Sequence, residues 1–322
     1  MHTTYVSSIS DILRSLPPSG MQREVRLQRA TEMYALGRAL EAVRAAAARM
    51  RQEPGATPAS APAPETADVL TRILSAAVTL CRTSDPVVHP GDFEAREQLR
   101  KGIASPAFVA LVPGWIAELR QIASIYPGTG ACTVATAMQL WLWTVRHFEG
   151  APSRREPVLG ELAEAFCPLL GARFQIVELA DAGVKPGAGG QPAHFLADLS
   201  HAHAAAAAGR VATLCAEVVF GYRTHPAWDA EGCASCYGAA DLDELEGLMP
   251  GIASSARAHS DVIEADGSHP AKAGPCARAT GLEEFVRLRA KLDGCLTGAR
   301  LALERATAAL PAILGEGSST VR

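Results

Sequence analysis

The stretch that decides the fold is residues 21–52, MQREVRLQRATEMYALGRALEAVRAAAARMRQ. It contains no proline, and Gly37 is its only glycine. Val25, Leu27, Met33, Leu36 and Leu40 recur mostly at three- and four-residue steps, the spacing that lines one face of an α-helix. The same period returns along the chain. Residues 66–82 put Leu70, Ile73, Leu74 and Ala77 on one face, and 93–102, 107–126, 133–148 and 159–170 read as further helices. Residues 193–222 form a long helical region with a candidate break at Gly209, and 282–310 carry Phe285, Leu288, Leu292, Leu296 and Leu303 in step. Strand signals are poor: β-branched alternation never outlasts a few residues, Phe174-Gln175-Ile176-Val177 being the nearest approach. The expected fold class is all-α, a single helical domain with long irregular loops at 181–192 and 225–280. Loops of that length inside a helical domain are often functional.

A chain of 322 residues has ample length to bury a core. Residues 1–52 read as an N-terminal helical extension. Residues 53–66, EPGATPASAPAPET, form a Pro/Ala linker too poor in large apolar groups to pack. Residues 67–322 are the main domain. The formal net charge of −4 leaves no basic footprint for nucleic acid. The most apolar stretch, 103–119, is interrupted by Pro106 and Pro113, so no membrane span is expected. The first twenty residues lack the basic start and apolar core of a signal peptide, so the expectation is a cytoplasmic protein.

The eight cysteines read as reduced thiols. Cys81, Cys132, Cys167, Cys215 and Cys295 sit mostly among Ala, Val and Leu, where a free thiol behaves as a small hydrophobe. Cys233-Ala-Ser-Cys236 is the one close pair, and no second pair or suitably spaced histidines complete a structural zinc set. The Gly-rich runs at 127–130 and 185–190 match no phosphate-binding loop, and neither a Gly-x-Ser-x-Gly elbow nor a Glu-x-x-His pair is present.

Nine histidines carry the candidate chemistry. His194, Asp198 and His201 stand at i, i+4 and i+7 and share one narrow stripe, while His203 faces the opposite way. Such a stripe can supply ligands to a metal or one axial ligand to a haem; a hydrogen-bonded His–Asp pair orienting a partly buried face is the alternative. Further on, Val211, Leu214, Val218 and Tyr222 lead at helical steps into His225, and Pro226 ends the helix. An imidazole at the end of an apolar face suits haem ligation, the face packing the porphyrin and Asp229 or Glu231 supporting the ring. A protonated histidine favouring a helix C-terminus is the competing account. His89, in Asp85-Pro-Val-Val-His-Pro-Gly-Asp92, is held between prolines and fits either a catalytic base or a surface turn.

The stretch 220–237, FGYRTHPAWDAEGCASCY, continuing to DELEGLMP and joined to the helix His194-Phe-Leu-Ala-Asp-Leu-Ser-His201, resembles the haem-dependent tyrosine hydroxylases of actinobacterial antibiotic pathways. That family belongs to the histidine-ligated haem aromatic oxygenases, distantly similar to tryptophan and indoleamine 2,3-dioxygenases. The resemblance covers about residues 81–309. It implies a helical domain around a b-type haem, hydroxylation of L-tyrosine at ring C3 to L-DOPA, and hydrogen peroxide as co-substrate. His225 is then the first-choice axial ligand of the haem iron, with Arg223 close before it, at a spacing shorter than in the dioxygenases. His194 or His201 are the alternative ligands, and His89 corresponds to the distal histidine that moves the peroxide proton. The relatives' Gly-Thr-Gly-Gly loop has no copy after His225, and residues 266–275 stand where it would be. The implied partners are an aromatic amino acid and peroxide, with the chain acting alone or as a homodimer. Two other readings stay open: a non-haem metal enzyme built on His194, Asp198 and His201, and an all-α binding protein whose histidines are structural.

Overall fold

The computed structural model describes residues 9–15, 23–52, 62–82, 90–147, 152–183, 191–220, 287–297, 300–301 and 304–308. Every regular element among them is helical, and the all-α expectation holds. In chain order they are α1 (Ile9–Ser15), α2 (Arg23–Gln52), α3 (Pro64–Arg82), α4 (Pro90–Ile103), α5 (Pro106–Ile125), a 3₁₀ turn (Pro127–Thr129), α6 (Ala131–His147), α7 (Pro152–Asp181) and α8 (Gln191–Phe220). Residues 287–297 and 304–308 are helical as well.

Prolines start these helices more often than they stop them. Pro64, Pro90, Pro106 and Pro152 each open one, where a missing N–H costs nothing and the fixed φ is already helical. Three residues read as linker, 64–66, therefore belong to α3. At α5 the Ser105 hydroxyl accepts from the Phe108 amide at 3.3 Å, satisfying one of the orphan donors of the first turn. The helix then continues through Pro113. By length and composition alone α5 is apolar enough to cross a membrane. One face of it is buried through Phe108, Val112, Ile116 and Leu119, and the other carries small residues such as Ala107, Ala110, Gly114 and Ala117.

The main core cluster takes residues from α2 through α8, and a second, smaller one gathers α1, the first turns of α2, Leu199 of α8 and Ala306. The centre of the main cluster is aromatic: the Phe108 ring meets Trp115 and Phe166 edge-on at 5.5 Å and Trp141 at 6.5 Å, and Trp141 lies 4.2 Å from Phe166. The Trp141 indole donates to the Leu162 carbonyl at 3.0 Å, so its one polar atom is satisfied without water. The helix read as an N-terminal extension is part of this body. Leu36, Ala39, Leu40 and Val43 of α2 are buried in the same cluster as α3 and α7. α7 extends well beyond the expected 159–170, and the strand-like run Phe174–Val177 is helical. Gln175 and Ile176 are buried there and Phe174 packs on the core, so tertiary contact overrides weak local preference. Gly209 does not break α8.

Candidate functional site

α8 organises both sides of the candidate site. Asp198 and His201 share one side of it, as their spacing requires, and His203 lies on the other. The backbone of His194 is one turn before Asp198. The Gly130 turn seats against the His201 side. Gly130 has φ +81°, and a Cβ placed on it would stand 2.7 Å from Ala204 Cβ and 3.2 Å from His201 Cδ2. Only glycine allows this approach of turn to helix. Ser200 donates its hydroxyl to the Thr129 carbonyl at 3.2 Å and closes the seat.

The Asp198 carboxylate is already engaged. Arg305 grips it with Nε at 3.1 and 3.2 Å and Nη2 at 2.8 Å, a forked pair between residues 107 apart in sequence. His201 is half-buried, and burial together with the Arg305 charge lowers its pKa, with Asp198 pulling the other way. A neutral imidazole is the right form for a metal ligand. The same guanidinium, however, occupies Asp198 and sets a positive charge beside the ring. Among the described residues no group of three or more His, Cys, Asp and Glu side chains is placed to hold a metal ion. The described part of the stripe thus offers one imidazole, His201, beside a carboxylate already paired with Arg305.

On the opposite side, His203 is fully buried where α2, α7 and α8 meet. Its Nδ1 donates to Gln175 Oε1 at 3.3 Å, and its Nε2 has no partner. The ring fits because residue 171 is glycine: a Cβ there would lie 3.2 Å from His203 Cε1 and 3.3 Å from Leu36 Cγ. Burial, reinforced by the charge of Arg210, pushes its pKa down to about 3, so the ring stays neutral.

Two turns along the same side of α8, Arg210 reaches Glu32 of α2 at 3.7 Å. The Glu32 carboxylate is 3% exposed and also accepts from Gln28 Nε2 at 2.9 Å, with the Cys81 thiol of α3 at 3.9 Å. Burial and the Glu32 charge push the Cys81 thiol far up, so it is a proton donor and not a nucleophile. His203 and Gln175 thus join α8 to α7, and, separately, Glu32 is a buried polar anchor that ties α2 to α3 through Cys81 and to α8 through Arg210. Sequence reasoning did not single it out, although the signal was present: Glu32 stands four residues before Leu36 and eight before Leu40, in register with the apolar stripe.

Of the face expected to pack a porphyrin, Val211 is buried in the core and Leu214 packs against it, while the side chain of Val218 and all of Tyr222 lie outside the described residues. His225, Arg223 and His89 lie outside the described residues, as do Cys233 and Cys236, and so does the side chain of His194. A groove of about 320 Å³ between α2 and α3 is lined by Arg44, Met50, Arg51, Pro64, Asp68 and Thr71 among others, and contains no histidine. Of the five cysteines read as small hydrophobes, Cys167 and Cys215 pack in the core. Cys132 and Cys295 instead face each other, half-buried, with sulfurs 3.5 Å apart.

No known protein family, curated protein or solved structure matches this chain.

Proposed function

We propose that the helical body is a scaffold and that the histidines it holds on α8 are structural, the chain acting as an all-α binding protein. One observation carries this reading. The two histidines whose side chains are described sit in protein surroundings: His203 is buried against Gln175, and His201 is half-buried beside the Gly130 turn and the Asp198–Arg305 pair. In this arrangement the Asp198 carboxylate, which a metal on this stripe would use, is paired with Arg305.

The second reading is haem-dependent hydroxylation of a phenolic amino acid with hydrogen peroxide. It rests on the resemblance of residues 220–237, and one feature of the fold favours it: α8 is unbroken to Phe220, five residues before His225. In that reading haem supplies the oxidising chemistry, His225 holds it with Arg223 beside it, and His89 carries the proton of the peroxide. The ligand role then belongs to His225 and not to His201.

Absorption and metal content of the purified full-length protein, before and after incubation with haem, separate the readings. Protein without a Soret band or stoichiometric metal is the result expected of the scaffold. A Soret band lost in His225→Ala and kept in His201→Ala would establish haem ligation and overturn it. Iron or zinc without a Soret band, lost in His201→Ala, would restore the non-haem metal reading.

A further inference from the structure

Cys132 lies in the first turn of α6, and Cys295 lies in the helix 287–297, on residues 163 apart in sequence. Their sulfurs are 3.5 Å apart, Cys295 donating to Cys132, and both side chains are half-buried. The surroundings are polar on the Cys295 side. Thr133 hydrogen-bonds to the Cys295 sulfur, and Lys291, one turn earlier on the same helix, places a positive charge near it. Neither sulfur is sealed in the core as Cys167 and Cys215 are, with exposures of 5% and 0%.

We propose that Cys132 and Cys295 form a redox-active dithiol which hydrogen peroxide oxidises to an intramolecular disulfide, clamping the helix 287–297 to the start of α6. The Cys132 thiolate attacks one peroxide oxygen, the O–O bond breaks, and Cys132 becomes a sulfenic acid as hydroxide leaves. The Cys295 sulfur, giving up its proton, then attacks the Cys132 sulfur. The S–S bond forms, the S–O bond breaks, and the second oxygen leaves as water. Two thiols and one peroxide give one disulfide and two waters, a two-electron oxidation. Cys295 keeps its proton by donating it to the Cys132 sulfur, and burial together with that hydrogen bond raises its pKa, so Cys295 takes the later, resolving part. The proposal is independent of the haem reading.

The test uses the full-length chain. Reduced protein is treated with hydrogen peroxide, alkylated in denaturant and mapped without reduction. The expected result is loss of two of the eight thiols, one cross-linked peptide joining Cys132 to Cys295, and full reversal by dithiothreitol. In Cys295→Ser the resolving sulfur is gone, so Cys132 accumulates as a dimedone-reactive sulfenic acid at several times the wild-type level. A thiol pair that merely packs together gives neither signal. Absence of the Cys132–Cys295 peptide, or equal dimedone labelling of Cys132 in both proteins, overturns the proposal.

Discussion

Because His203 is neutral and buried, the fold is sensitive to acid by an amount that can be worked out. Its pKa is about 3 in the folded chain against an ordinary value of 6.5, so the unfolded chain binds a proton that the folded one refuses. The contribution is fully present above about 6.5 and is lost as pH falls toward about 3. At about pH 4.5 the unfolded chain has been stabilised over two pH units, and at about 1.4 kcal/mol per unit the loss is about 2.7 kcal/mol. The perturbation is His203→Asn, which keeps an N–H aimed at Gln175 Oε1 but does not titrate. It loses part of the ring packing against Leu36 and Gly171, at a cost of about 1–2 kcal/mol near neutral pH. Urea unfolding of both proteins at about pH 7.5 and 4.5 gives four free energies, and the change with pH should be smaller in the variant by about 2.7 kcal/mol. Other groups titrating in this range cancel in the comparison. If the variant loses as much stability on acidification as the wild type, the buried neutral imidazole is not the acid-sensitive element and the reasoning fails.

Other substitutions probe separate links. Gly130→Ala forces a Cβ to 2.7 Å from Ala204 at a left-handed φ and should cost at least about 2 kcal/mol in denaturant unfolding; a neutral result would mean the turn does not seat on α8. Phe166→Ala removes the ring that meets Phe108 edge-on and Trp141 at a tilt, and should cost about 3–5 kcal/mol, read as a fall in Tm or in urea midpoint. Arg305→Ala breaks a half-exposed ion pair worth at most about 1 kcal/mol, so stability should hardly change. The same variant should raise the His201 pKa, measured by NMR titration, because the cation that lowers it is gone. An unmoved His201 titration would detach Arg305 from this site.

Residue spacing alone was enough to read the class of fold and most of its helices. An apolar residue every third or fourth position within some twenty residues specifies a buried face whatever covers it, so α2, α3 and α6 could be read locally. It also placed Asp198 and His201 on one side of a helix and His203 on the other, since helical angle depends on spacing alone. What covers each side was decided only by tertiary structure. Arg305 comes from 107 residues away to take the carboxylate that a metal reading needs free. Gly171 leaves room for the His203 ring, and Val211 is buried in the core. Glu32 was visible as a charge on an apolar stripe, yet its partners Arg210 and Cys81 come from helices that no local period could assign to it. The physical reason is the range of the forces. Backbone hydrogen bonding and amphipathic period act within a few turns, whereas an ion pair, a buried imidazole or two facing thiols exist only once separate helices have packed.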